Sequence, residues 1–188
     1  MRQTASLANH FLIAVPALLD PNFARGVTLL CQHGSDGAMG LMLSRSSGYT
    51  LGELLAQLDL ATDDATLAAT PVLSGGPVQP ERGFVLHEPT AMRWDSSLDI
   101  SPALCLTTSR DILAAMAAGE GPQRALVALG YAGWSAGQLE EELQDNAWLT
   151  VPADAGIVFD TPLAARWEVA AGLMGVDIHR LAHYAGHA

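Results

Sequence analysis

Short runs of uninterrupted apolar residues constrain this chain more than any motif does. "HFLIAV" (His10–Val15), "VTLLCQH" (Val27–His33), "MGLMLS" (Met39–Ser44), "PVLS" (Pro71–Ser74) and "GFVLH" (Gly83–His87) come first. "ALCLT" (Ala103–Thr107), "ALVALGY" (Ala125–Tyr131), "WLTV" (Trp148–Val151) and "IVF" (Ile157–Phe159) follow. Runs that are apolar at most positions, not at alternate ones, predict strands covered on both faces. The early strands follow one another with little between them, whereas the later ones alternate with helix signals. That order predicts an α+β fold with a mixed sheet and argues against a regular doubly wound one.

The helix signals are local and chemical. Thr50 and Glu53 form a capping-box pair ahead of "LGELLAQLDL". Ser109 precedes an Ala/Leu/Met stripe that stops at Gly119, a residue suited to a helix end. Ser135 with Gln138 is read as the opening of "AGQLEEELQDN", whose Leu139 and Leu143 share one face of an acidic helix. Thr161 and Pro162 are read as the start of "LAARWEVAAGLMG". The Asp/Thr-rich stretch Ala61–Ala69 reads as a linker or a short helix.

With 188 residues, 49% of them hydrophobic, the chain can bury a full core as one domain, residues 1–188. No apolar stretch approaches the roughly 18 residues of a membrane span. The segment "MRQTASLANHFLIAVPALLDP" is broken by Pro16 and Asp20 and reads as a first strand, not a signal peptide. Two cysteines in apolar runs fit a reducing compartment, so a cytoplasmic location is expected. A formal net charge of -11 opposes direct nucleic-acid binding. All nine basic residues are arginines. The missing lysine removes Schiff-base chemistry, the Walker phosphate lysine and the kinase strand lysine.

The glycine-rich stretch "PVLSGGPVQPERGFVLH" lacks the spacing of a phosphate loop, and Pro77 and Pro80 delete backbone donors that such a loop needs. It reads as a sharp connection between strands in which Gly75 or Gly76 takes positive φ.

The blocks "LANHFLIAVPALLDPNF", "GAMGLMLSR", "VLSGGPVQPERGFVLH", "LTTSRDIL" and "LGYAGWSAGQLEEELQDNAWL" occur in that order, with a closing "GHA". Together they resemble the YqgE/AlgH family of bacterial proteins over nearly the whole chain. The resemblance implies a mixed sheet curled into a pseudo-barrel with flanking helices, in a bacterial cytosolic protein; no cofactor is expected. It carries a transcriptional-regulator label, with no established catalytic residues. The chain departs from the family pattern at Ser46, where a proline is usual, and in the turn "CQHGSDG".

The specific blocks are rich in Gly, Pro and aromatic residues and poor in converging acid–base groups. They predict a groove for a protein or small-molecule partner, formed by Gly75, Gly76, Pro77, Arg82, Phe84 and His87 with Tyr131 and Trp134. Arg82 suits a carboxylate or phosphate, or else an ordinary ion pair with Glu81 or Glu88. Two catalytic alternatives stand beside this reading. "GWSAG" (Gly133–Gly137) matches the nucleophile-elbow pattern at Ser135, with Asp160 or Asp177 and His183 or His187 as partners; its bland reading is a helix cap. Cys31 and His33, two apart on a strand, would share a face as a reactive thiol pair, with His10 and His87 as possible neighbours. His179, His183 and His187 are spaced by four, but no metal site is expected there.

Overall fold

A computed structural model describes residues 5–184, with side chains as far as Leu181. In chain order the strands are β1 (His10–Ala14), β2 (Val27–Gly34), β3 (Gly37–Met42), β4 (Ser46–Thr50), β5 (Pro71–Ser74) and β6 (Val78–His87). They continue with β7 (Ser97–Ser101), β8 (Leu104–Thr107), β9 (Ala125–Ser135) and β10 (Trp148–Pro152). The main path runs β10-β1-β2-β3-β9-β6-β8-β7, with β4 and β5 branching off beside β9. Pairings are antiparallel except β5 with β9, so the sheet is mixed, and it curls into a half-barrel flanked by helices. This is the α+β architecture that the apolar runs predict.

Burial on both faces accounts for those runs. Phe11, Ile13, Leu29, Leu41, Phe84, Leu86, Leu106 and Ala128 point into the curl and form its inner core. Helices α5 (Ala155–Asp160), α6 (Arg166–Gly172) and α7 (Ile178–Tyr184) contribute to this core through Ile157, Val158, Trp167, Ala170 and Ile178. The alternate residues face outward into two further clusters. Val72, Val85 and Val127 meet helices α1 (Leu51–Gln57) and α3 (Arg110–Ala117). Leu12, Leu30, Ala132 and Trp134 meet α4 (Gln138–Gln144) and Trp148.

The local signals hold in part. Thr50 and Glu53 cap α1 reciprocally, with Glu53 N–H to Thr50 Oγ1 at 3.3 Å and Thr50 N–H to Glu53 Oε2 at 3.0 Å. Gly119 takes a φ of 79° just past α3. Asp64 caps the short helix α2 (Ala65–Ala68) inside the stretch read as linker or helix. Four corrections follow. Ile157–Phe159 is helical, because Asp154 Oδ1 accepts from Ile157 N–H at 3.1 Å and nucleates α5. Strands β4 and β7 escape the apolar pattern because "SSGYT" and "SLDIS" are short and largely polar. Ser135 ends β9 and does not open α4, which is preceded by Gly137 at a φ of 78°. The helix after Pro162 begins at Arg166, behind a 3-10 turn at Leu163–Ala165.

The Gly75–Gly76 pair forms a close crossing of backbones, not a phosphate cradle. A Cβ on Gly75 would lie 2.3 Å from the Gly130 carbonyl oxygen, and one on Gly76, whose φ is 153°, would lie 2.1 Å from the Tyr131 carbonyl carbon.

Helix α4 is clasped to the sheet by two indoles. Trp134 Nε1 and Trp148 Nε1 both donate to Glu142 Oε2, at 2.9 and 2.8 Å, while Gln138 Nε2 donates to Oε1 at 2.9 Å. The two rings meet edge to face at 6.3 Å. Each indole left without an acceptor costs about 1–3 kcal/mol. Glu142→Ala should therefore lower the urea-unfolding free energy by about 2–4 kcal/mol, and Glu142→Gln, which keeps an acceptor oxygen, by clearly less.

Candidate functional site

An open groove of about 670 Å³ lies along a seam on one face of the curled sheet, across β9, β6 and β8, between β7 and the β2–β3 hairpin. Its floor is apolar, made by Met39, Phe84, Leu98, Leu106 and Tyr131, and Phe84 meets Tyr131 edge to face at 5.8 Å. Gln32, Ser96, Ser97 and Thr108 add polar groups around it. Arg82 is the charged residue of the lining, with its guanidinium carbon 5.2 Å from the Phe84 ring centroid. Its one side-chain hydrogen bond among the described residues is a long one, 3.5 Å to Gln79 Oε1. The ion pair with Glu81 or Glu88 does not form. The guanidinium is thus exposed and desolvated on one face by an aromatic ring, and among the described residues it forms no ion pair with a carboxylate.

Of the residues predicted for a groove, Arg82, Phe84, Tyr131 and Trp134 come together here. Gly75 and Gly76 are buried in the backbone crossing, and Pro77 is exposed beside it. His87 faces a different cavity. The whole β7 wall was missed by the apolar pattern, although Leu98 and Ile100 at alternate positions of "SLDIS" carry the period of a half-buried strand.

That second cavity, about 470 Å³, lies on the opposite face of the sheet. His87, Cys105 and Asp99 occupy one cross-strand row on β6, β8 and β7. His87 Nδ1 lies 2.8 Å from the Glu88 carbonyl oxygen, which can only accept, so this nitrogen carries the proton. Nε2 therefore accepts from Thr107 Oγ1 at 2.8 Å, and Thr107 in turn accepts from Ser97 Oγ at 2.8 Å. Burial lowers the imidazole pKa and keeps the ring neutral. Burial also pushes the Cys105 thiol up to about 11, reinforced by Asp99, whose Oδ1 accepts from Sγ at 3.3 Å. A thiol facing a carboxylate is held as a thiol, which is a poor nucleophile.

The Cys31–His33 pair does not assemble. The register with β3 slips between Leu30 and Gln32, so Cys31 is an extra residue in the ladder. Cys31 stays in the inner core, donates weakly to the Leu29 carbonyl, and has its pKa pushed up to about 12 by burial. His33 turns to the other face. There its Nδ1 accepts from Leu7 N–H at 2.9 Å, which places the proton on Nε2, donated to Glu140 Oε1 at 2.8 Å. The backbone N–H of Glu140 and this ring hold the Glu140 carboxyl below the usual range. His10 hydrogen-bonds the Ala8 carbonyl, and His87 sits in the distant row described above.

Among the described residues, Ser135 is engaged by Gln138 and by no histidine. Ser135 Oγ donates to Gln138 Oε1 at 3.2 Å, and its N–H donates to the same oxygen at 3.0 Å. Asp160 pairs with Arg124, and Asp177 with Arg180. The side chain of His183 and all of His187 lie outside the described residues. His179 is tied to Glu168 at 3.0 Å. Among the described residues no cluster of three His, Cys, Asp or Glu side chains could hold a metal ion.

Both thiols should behave as structural groups. At pH 8 the native protein should react with Ellman's reagent about two to three orders of magnitude more slowly than free cysteine, whose pKa is about 8.5. Because the native pKa values are raised, the unfolded chain binds fewer thiol protons than the native one above about pH 8.5. Stability should therefore be intact below that pH and fall as pH climbs towards about 11 for Cys105 and about 12 for Cys31. Urea titrations across that range, compared with a Cys31→Ala, Cys105→Ala variant in which the decline is shallower, test the assignment.

Comparison with known proteins places this architecture in a family. The family model described as DUF179, AlgH-like, matches residues 11–179. A UPF0301 protein of Xanthomonas campestris pv. campestris (strain B100) is 61% identical over 182 residues, covering 97% of this chain and 96% of that protein. A UPF0301 protein of Stenotrophomonas maltophilia (strain K279a) is 60% identical over the same length. The solution structure of AlgH from Pseudomonas aeruginosa superimposes with a TM-score of 0.80 at 50% identity, covering 100% of both chains. The crystal structure of DIP2367 from Corynebacterium diphtheriae gives a TM-score of 0.74 at 17% identity, covering 96% of this chain and 94% of that one, and so shares the fold. The chain belongs to the AlgH-like UPF0301 family, which the blocks around Gly75–His87 and Tyr131–Trp134 had suggested.

Proposed function

We propose that the protein is a cytoplasmic, non-catalytic binding module whose ligand is an amphipathic anion seated in the seam groove. The observation that carries the reading is Arg82, an uncompensated guanidinium laid over Phe84 at the rim of an apolar cleft. An exposed guanidinium already lying on an aromatic face is a ready donor set for an anion. An incoming carboxylate, sulfonate or phosphate takes up that donor set, and its apolar body covers the half-buried Met39, Leu98 and Tyr131. The non-catalytic part of the proposal draws on the engaged hydroxyl of Ser135 and the raised pKa values of Cys31 and Cys105. Any effect on transcription then runs through the bound partner, since an acidic chain of net charge -11 is repelled by phosphate backbones.

The dye 1-anilinonaphthalene-8-sulfonate, an apolar body with one anionic group, is a suitable probe. It should bind once per chain with enhanced fluorescence. Arg82→Ala should weaken it about tenfold, equivalent to about 1.4 kcal/mol. Arg180→Ala, which removes an exposed arginine paired with Asp177, should leave it unchanged. Unsaturable binding, or equal affinity in the Arg82 variant, overturns the proposal.

A further inference from the structure

Strand β7 is an outer edge of the sheet, and the groove lies directly against it. The Ser96 carbonyl accepts from Thr108 N–H at 2.9 Å, and Ser96 N–H donates to Ser109 Oγ at 3.0 Å, so Ser96 turns both groups inward. The alternation of an antiparallel ladder then turns the N–H and C=O of Ser97 and Asp99 outward, away from β8. An edge of this kind is a template for one more strand. Side chains on a strand laid beside β7 alternate between the groove, where Leu98 and Leu106 lie, and the opposite face.

Strand direction follows from the position of the charge. Val85, Thr107 and Ser97 form one cross-strand row, and β6 runs parallel to β7 because both are antiparallel to β8. Arg82, three residues before Val85, therefore sits towards the N-terminal end of β7. A strand added antiparallel to β7 brings its C-terminus to that end, whereas a parallel one brings a cationic N-terminus towards a guanidinium.

We infer that β7 receives the free C-terminal tail of a partner protein as an added antiparallel strand, its terminal carboxylate held by Arg82 and its alternate apolar side chains lying in the groove. This rests on the groove being a ligand site, as proposed above, and names its occupant. Main-chain hydrogen bonds to Ser97 and Asp99 supply affinity without sequence preference, and the groove and the guanidinium supply selection.

The test equilibrates the full chain with a pool of random-sequence synthetic octapeptides in free-acid and amidated forms. Retained peptides are read by mass spectrometry, and the best is then measured by fluorescence anisotropy. Retained peptides should be free acids with apolar residues at alternating positions from the C-terminus. Amidation of the best one should weaken it at least about tenfold, as should Arg82→Gln. Its binding should slow hydrogen exchange at the backbone amides of Ser97 and Asp99. Equal retention of acids and amides overturns the inference, and so does a bound peptide that leaves exchange at Ser97 and Asp99 unchanged. If no peptide is retained while the anilinonaphthalene dye still binds, the added strand is refuted and the groove stands. If the dye fails as well, both readings fall.

Discussion

Strand β9 changes partners at Gly130, and the shape of the molecule depends on that change. Along one edge β9 is paired with β6. Along the other it meets β5 at Ala128–Leu129 and then β3 from Ala132 onward. At the switch the chain leaving β5 passes through Gly75 and Gly76, and Gly75 N–H still donates to the Leu129 carbonyl at 2.8 Å. Two backbones pass here at a separation that excludes side chains, and Gly130 itself takes a φ of 76°. This crossing lets one strand serve three neighbours. The sheet then turns sharply enough to enclose an inner core instead of lying flat between helix layers.

Curling without closure has a consequence for chemistry. The inner face is filled by aliphatic and aromatic residues over most of its length, but beyond β7 the described residues add no further strand. Several titratable groups elsewhere are engaged. His33 bridges Leu7 and Glu140, His87 is locked between Glu88 and Thr107, and Glu142 holds two indoles. Buried groups so engaged give rigidity and leave little capacity for proton transfer. Arg82 is the contrast, a strong donor set with almost nothing to donate to.

Much of this was legible in the sequence. Apolar runs located most strands of the inner core, since burial on both faces removes polar positions altogether. The Thr50–Glu53 pair located α1 because reciprocal capping needs only local geometry. Arg82, Phe84, Tyr131 and Trp134, singled out by the blocks that carry them, line one groove. What escaped was set by tertiary contacts. The slip at Cys31 reverses which face His33 occupies, and no periodicity in "LLCQHG" announces a bulge. Residues of β7 are polar because they sit at an edge, so the strand that walls the groove is the one whose composition least resembles a strand. Asp154 turned "AGIVF" into a helix through a cap that outweighs the β-branched pair Ile157–Val158.

The electrostatics of the seam narrow what it selects. A chain of formal charge -11 repels an approaching anion at long range. At physiological ionic strength, however, that field is screened within about 8 Å. Inside that distance Arg82 is the charged residue of the groove lining, on a ring that strips part of its hydration. An anion without an apolar body meets the repulsive field and gains one exposed ion pair, worth about 0–1 kcal/mol. An anion carrying an apolar body also covers the half-buried Met39, Leu98 and Tyr131, at roughly 25 cal/mol for each Å² removed from water. On the proposed reading, the acidic surface sharpens the groove by rejecting simple anions, and the apolar complement decides which ligand stays.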